Sequence, residues 1–366
     1  MVERNGVDPK VVDFGSRYVG LEDIAADGSI SVGDVEATEL SSTKFRFDDR
    51  HVLFGKLRPY LRKVSRPHFS GICSTDILPI AAGHRLDRSY LFHFLRTDWV
   101  IDKATLLSSG ANLPRISPQH LVEFEIPLPP LGEQRRIAAI LDHADSLRRK
   151  RLLQLEMVSD LPGRLFDAMF GSDPSLPRAS LSSLCDLITD GTHYTPRYAD
   201  RGVIFLSARN VTSGRVNWDN VKYIPSQLHL ELQRRVSPRI GDVLMAKNGT
   251  TGVAAIVDRE EIFDIYVSLA LLRPGGNILG EYLCCALNSQ SSKRQFNYAL
   301  KGIGVSNLHL VDIRKAMIPL PSVSAQATFT QGLGEINRLR SRLEGGLKAS
   351  TALFASLQDR AFRGEL

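Results

Sequence analysis

A run of apolar residues that ends in prolines and opens into a charged helix occurs twice in this chain. That duplication constrains the fold more than any other feature. The first copy runs from Ile126 to Gly171 and begins IPLPPLGEQRRIAAIL; the second runs from Ile318 to Leu366 and begins IPLPSVSAQATFTQGL. Pro127, Pro129, Gln134, Leu141, Leu147 and Phe170 return at one constant offset as Pro319, Pro321, Gln326, Leu333, Leu339 and Phe362. Proline pre-sets φ for a first helical turn and has no N–H to leave unpaired there. Glu133 falls in that turn, where the helix dipole favours negative charge. Ile137, Ile140, Leu141, Ala144, Leu147, Leu152 and Leu155 then recur near the helical period, one apolar stripe on a charged rod. The spacing predicts a helix to about Ser159, broken by Leu161-Pro162-Gly163 and followed by a short last turn ending at Gly171. The second stripe is Ile336, Leu339, Leu343, Leu347, Phe354 and Leu357. Gly345 and Gly346 interrupt it, each costing about 1 kcal/mol relative to Ala, so a kink can form there. The simplest expectation for both stripes is that one rod packs on the other.

A mixed region precedes each helix. In the first, Tyr18–Leu21 reads as a strand, Ala26–Ser29 as a turn, His51–Tyr60 as a strand entering a basic loop, and Ile72–Ile80 as a further strand. Tyr90–Lys103 reads as a helix and Ser108–Asn112 as a loop. After a linker at Ser172–Pro177 the landmarks return in order. Phe205–Ala208 matches the first strand and Ser213–Arg215 its turn. Gly241–Lys247 matches the run ending at Lys56, Tyr282–Tyr298 the helix at Tyr90, and Lys301–Gly304 the loop at Gly110. The first region has no evident counterpart of Leu181–Tyr198. The order is globule, helix, globule, helix, and the two globules differ mainly in their loops.

The chain has 366 residues, 43% of them hydrophobic, enough for two or three domains with ordinary cores. Net charge is +6 and the pI about 9.2, which suits either a solvated basic surface or a polyanionic partner. Cys73, Cys185, Cys284 and Cys285 show no metal-ligand spacing and read as buried or free thiols of a reducing compartment. The first residues are unlike a signal peptide, and no apolar run approaches the roughly 18 residues of a membrane span; a cytoplasmic location is expected. Catalytic signatures are missing. There is no GxxxxGK[ST], no HExxH, no G-x-S-x-G, and no Asn-Pro or Pro-Asp dipeptide. The histidines form no ligand-spaced set, and His120, His143 and His309 read as surface or capping residues.

The LPPL-x-EQ-x-x-I-A-x-x-L run at Leu128–Leu141, the GDVL-x-x-K element at Gly241 and the glycine loops before each LP motif resemble the specificity subunits of type I restriction–modification systems. The second LP motif departs from the pattern, with Ser322–Ala325 in place of Pro-Leu-x-Glu. The resemblance covers nearly the whole chain. It implies an α+β fold in which two target-recognition domains are separated by two long antiparallel helices, a pseudo-two-fold internal repeat. The first domain would span 1–128, the first helix 129–172, the second domain 173–320 and the second helix 321–366. Each domain would read one half of a bipartite, asymmetric double-stranded DNA target. The chain itself would be non-catalytic and hold no cofactor or metal. It would direct adenine methylation or cleavage by two DNA methyltransferase subunits and the restriction/translocase subunits, which would bring S-adenosylmethionine, ATP and magnesium. A first helix of about 29 residues is about 43 Å long, enough to set half-sites about one turn of DNA, 34–36 Å, apart. A scaffold that only assembles partners, or an enzyme with an unrecognised motif, are the competing readings. Basic residues at equivalent points of both globules weigh against the first, the missing motifs against the second.

Lys56, Arg58, Arg62 and Lys63 crowd the loop after one strand. Lys247 and Asn248 take the matching place in the second globule, and Arg209 and Asn210 lie at another strand end. Arginine suits guanine edges and asparagine adenine edges, so these are the candidate DNA contacts. Arg115 and Lys301 flank the glycine loops and suit phosphate. The alternative for each is a solvated loop. Gln134, Ile137, Leu141, Gln326, Leu333 and Ile336 are the candidate assembly residues of the helices. The run Arg148–Arg151 would ordinarily be solvated; DNA or an acidic partner surface is the alternative.

Overall fold

The structure, a computed structural model, describes residues 1–8, 17–31, 42–171, 173–300 and 307–366. Ser172, Lys301 and the glycine loop at Gly302–Gly304 lie outside the described residues. The chain divides into two compact units. One comprises Met1–Leu153 and Gly345–Leu366, the other Gln154–Glu344. Each unit therefore contains a sheet-bearing region, the start of one long helix and the end of the other.

In the first unit the strands are β1 (Gly6–Val7), β2 (Arg17–Val19), β3 (Lys44–Phe47), β4 (His51–Gly55), β5 (Val64–Ser65), β6 (Gly71–Cys73) and β7 (Ile77–Ala81). They form two sheets, β1-β3-β6-β2 and β5-β4-β7. β2 runs parallel to β6, with Tyr18 opposite Ile72, and the other pairs are antiparallel. All five residues of β4 are buried. Successive side chains point to opposite faces of a strand, so Val52 and Phe54 enter one apolar cluster and Leu53 another. The expected single strand Ile72–Ile80 is two strands in two sheets. A turn at Ser74–Asp76 divides it, closed by Ile77 N–H donating to the Ser74 carbonyl at 2.9 Å. The expected helix Tyr90–Lys103 is likewise two, α1 (Arg88–Leu95) and α2 (Asp98–Leu106), because Thr97 caps the second through its hydroxyl. A short α3 (Pro118–Val122) follows.

The first long helix, α4, spans Leu131–Ser159. It is succeeded by α5 (Leu161–Phe166) and a π turn at Asp167–Gly171. Stop and last turn fall where the Leu-Pro-Gly break predicts them.

In the second unit, β8 (Arg178–Ser180), α6 (Leu181–Leu184), β9 (Cys185–Asp190), β10 (Val203–Leu206), β11 (Lys222–Ile224), α7 (Ser226–Leu232), β12 (Val243–Ala246), β13 (Ala254–Ile256), β14 (Phe263–Ile265) and β15 (Leu269–Pro274) lead to α8 (Gly280–Asn288), α9 (Gln290–Ala299), α10 (Leu310–Lys315) and β16 (Met317–Pro319). The sheets are β13-β12-β15-β9, β11-β10-β14 and β16-β8. β12 repeats β4. Val243 and Met245 enter one cluster, Leu244 and Ala246 the other. β10 runs parallel to β14 as β2 does to β6. The helix expected at Tyr282–Tyr298 is again two, with Ser289 capping α9 as Thr97 caps α2. β9, which pairs with β15, is the segment without a sequence match in the first unit. There, the place beside β7 is held by a single bridge, Val2 opposite Ile80.

The second long helix, α11, is continuous over Val323–Arg363, so no break occurs at Gly345-Gly346. Within the first unit it runs antiparallel to α4. The Arg136 guanidinium donates to the Leu366 carbonyl at 2.7 Å, and Arg148 lies 5.7 Å from the Phe354 ring centre. Ile137, Ala138 and Leu141 pack with Tyr90, Phe354, Leu357, Ala361 and Phe362. In the second unit Phe166, Phe170, Tyr282 and Phe329 form one aromatic cluster, with ring centres 5.3–5.8 Å apart. The stripes are thus buried only in part. Leu147 and Leu339 are 41% and 44% exposed.

Candidate nucleic-acid interface

β4 and β12 each run out into a lysine, and the two lysines occupy equivalent frames. Lys56 N–H donates to the Asp76 carbonyl at 2.9 Å and its own carbonyl accepts from Ile116 at 3.0 Å. Lys247 N–H donates to Ser268 at 2.8 Å and its carbonyl accepts from Leu308 at 2.9 Å. The backbone after each strand is thereby stitched beside a second segment, Leu57 to Arg115 in one unit and Asn248 to Asn307 in the other. The side chains diverge. Lys56 lies half-buried, 3.8 Å from Asp76. Arg115 holds the same carboxylate with two hydrogen bonds of 2.9 and 3.1 Å; these outweigh burial and keep Asp76 below the usual carboxylate range. Lys247 is buried, and its ammonium donates to Asp190 at 2.6 Å. Burial alone would raise the Asp190 pKa, but the hydrogen bond and charge of Lys247 hold it low. Arg235, at 3.0 Å, shares that carboxylate.

Past Lys56 the chain turns through Pro59–Leu61, a single 3₁₀ turn between Arg58 and Arg62. Both arginines have left-handed backbones, φ 51° and 55°, a conformation costing L-residues about 1–2 kcal/mol each. Arg58 Nη2 donates to the Asn112 carbonyl at 3.3 Å. Arg62 is tied to the Asp98 carboxylate and Lys63 to the Leu21 and Ile24 carbonyls. Tyr60 and Leu61, at the crest, are 50% and 41% exposed.

The remaining candidates scatter. Asn210 is buried. Its side-chain oxygen accepts from Ser207 N–H at 3.0 Å, and its amide donates to Asn217 and Asn220 carbonyls. It therefore shapes the loop that carries the exposed Arg209. Asn248 is exposed. The assembly candidates point inward. Gln134 is buried, accepting from Asp87 N–H at 2.8 Å and donating to the Arg85 and Pro129 carbonyls at 3.0 and 2.8 Å. Gln326 repeats this, accepting from Leu279 and donating to Asn277 and Pro321. Ile137, Leu141 and Leu333 are buried and Ile336 half-buried. In the Arg148–Arg151 run, Arg148 and Arg149 converge with Arg96 on buried Asp145, at 2.7, 2.7 and 3.3 Å.

Sequence reasoning missed Asp76, Asp190 and the Tyr60-Leu61 crest. Asp76 sat inside what read as one strand. Asp190 lies in the segment with no match in the first region, so no repeat drew attention to it. All four cysteines are free, and burial pushes the thiols of Cys73, Cys185 and Cys285 up to about 12. Among the described residues no group of acidic, histidine and cysteine side chains is placed to hold a metal, and no helix is long and apolar enough to cross a membrane.

The comparisons with known proteins converge. Residues 64–157 match the model of the type I restriction modification DNA specificity domain. The EcoDI specificity subunit of Escherichia coli is 33% identical over 126 residues, covering 33% of this chain and 28% of that protein. The EcoKI specificity subunit of Escherichia coli K12 is 24% identical over 304 residues, 76% of this chain and 65% of that protein. The chain is thus similar to type I restriction enzyme specificity subunits. Its matches span less than two thirds of these two relatives. A chain from a solved structure of type I R-M complex assembly aligns over 100% of this one and 96% of its own length, with a TM-score of 0.61 at 21% identity, so the two chains share the fold.

Proposed function

We propose that this chain is the DNA-recognition subunit of a type I restriction–modification complex. Each sheet-bearing region reads one half of a bipartite, asymmetric double-stranded target. Partner methyltransferase and restriction/translocase subunits perform adenine methylation and cleavage, bringing S-adenosylmethionine, ATP and magnesium with them in the cytoplasm. The observation that supports this best is a shared frame under different tips. The lysine backbone stitches, the Thr97 and Ser289 caps and the Gln134 and Gln326 locks recur in both units. The residues on top do not: Arg58 stands where the second unit has Gly249, Tyr60 where it has Thr251, and Arg115 where it has Asn307. A duplicated catalytic domain would keep its reactive groups. Here the scaffold is kept and the surface exchanged, as two readers of different sequences require. The net charge of +6 suits a polyanion, whose binding falls steeply with salt.

The test is duplex binding and methylation by the chain with and without its methyltransferase partner. Expected is retention of a duplex carrying both half-sites, lost when either is scrambled, and methylation only with the partner present. Adenine methylation by the pure chain supplied with S-adenosylmethionine would overturn the reading.

A further inference from the structure

Among the described residues, Arg58 and Arg62 alone combine a side chain with left-handed backbone, and they frame one turn. The second unit has a counterpart of this turn that is one residue shorter. Counting forward from the strand residues Phe54 and Met245, Arg58 corresponds to Gly249. Counting back from their partners Val64 and Ala254, Arg62 corresponds to Gly252. Both glycines are left-handed too, with φ of 74° and 85°. The fold therefore needs left-handed backbone at both ends of this turn. Glycine meets that need without steric penalty; an L side chain does not. Turn geometry does not account for arginine at either position, and strain kept in this way points to what the side chains do.

Arg62 has a task within the fold, since its guanidinium reaches the Asp98 carboxylate and the Arg96 carbonyl. Arg58 has almost none. Its Nη2 makes the 3.3 Å contact to Asn112, and its Nε is buried with no partner among the described residues. The base of the turn is nevertheless held firmly. Arg58 N–H donates to the Pro114 carbonyl at 2.7 Å, Arg62 N–H to Pro59 at 2.8 Å, and Lys63 is fixed by its ammonium. A rigid base thus raises an exposed aromatic and an exposed leucine beside a guanidinium that the protein leaves largely unused. The second unit has only Thr250 and Thr251 at this crest.

Resting on the reading above, we infer that the Arg58–Arg62 turn is the base-reading element of the first half-site. Arg58 donates to a guanine edge, the bidentate contact its planar fork suits. Tyr60 and Leu61 add apolar contact to the neighbouring bases, such as a thymine methyl. Tyr60 and Leu61 are thereby specificity-determining residues.

The test uses the methyltransferase complex carrying Arg58→Gly, Arg58→Lys or the pair Tyr60→Ala and Leu61→Ala. Arg58→Gly restores the residue type the second unit uses, so its melting temperature is expected to equal or exceed that of the parent. Its affinity for the full target should fall about ten- to a hundred-fold, with one or two base positions of one half-site relaxed and the other half-site unchanged. Arg58→Lys, which keeps the charge and loses the fork, should relax the same positions. The Tyr60/Leu61 variant should relax adjacent ones. An Arg58→Gly complex that melts higher and selects the same bases with the same affinity would overturn the inference. So would uniform weakening on every sequence, which is the mark of a phosphate contact. If the parent complex selects no sequence at all, the wider reading falls and this one with it. If the parent selects and all three variants select identically, only this inference falls.

Discussion

Two tyrosines show how equivalent positions can carry different energies. Tyr90 and Tyr282 are both fully buried near the start of matching helices. The Tyr282 hydroxyl donates to the Pro319 carbonyl at 2.8 Å, whereas that of Tyr90 finds no partner among the described residues. Tyr282→Phe should therefore cost about 1 kcal/mol in urea unfolding, and Tyr90→Phe should be neutral or stabilising. Equal losses in the two variants would contradict the difference. Lys247 makes a sharper case. As a buried partner of Asp190, its replacement by Met should destabilise by about 3 kcal/mol and leave base preference unaltered. The sign of the pH dependence follows from the depressed pKa of Asp190. Its contribution to stability is complete above the unfolded carboxylate value near pH 4 and is lost as pH falls through the lower native value. Lys247→Met should lack that part of the acid-side decline. Relaxed base selection at unchanged stability would make Lys247 a DNA contact after all.

At the scale of elements, the buried glutamines fix where each long helix starts. Gln134→Leu would leave the Asp87 N–H and the Arg85 and Pro129 carbonyls unpaired, at a cost of about 2–3 kcal/mol. Gln326→Leu should match it, and the two share no partners, so the double variant should be additive. Gly345 is different. A Cβ there meets nothing within 4 Å, so Gly345→Ala should stabilise α11 by about 0.5–1 kcal/mol. At Gly346 a Cβ would meet the Arg151 guanidinium, the far end of a flexible side chain that can shift aside. The limits of α4 were readable because proline, period and Leu-Pro-Gly stop are local signals. The divisions at Ser74–Asp76, Thr97 and Ser289 were not. Each is set by one polar side chain bonding to nearby backbone inside an otherwise continuous apolar run. The candidate contacts were readable as residue types at strand ends. Their fates, with Lys247 paired, Asn210 buried and Arg58 strained, depend on partners distant in sequence or on backbone φ, which no local pattern carries.

For the whole molecule, the duplication matters because one frame carries two surfaces. Gene-level exchange of the crest residues 57–62 should change what one unit selects and spare the other. The most direct measurement is a genome-wide map of methylated adenines in cells that express this chain with its methyltransferase partner, repeated with residues 57–62 replaced by the second unit's Asn248–Gly252 sequence. Expected is a single bipartite, asymmetric motif for the parent, with one half altered and the other preserved in the variant. A motif that is the same in both would contradict the role given to the 57–62 turn, and one that persists when the chain is removed would contradict the assignment of sequence recognition to this protein.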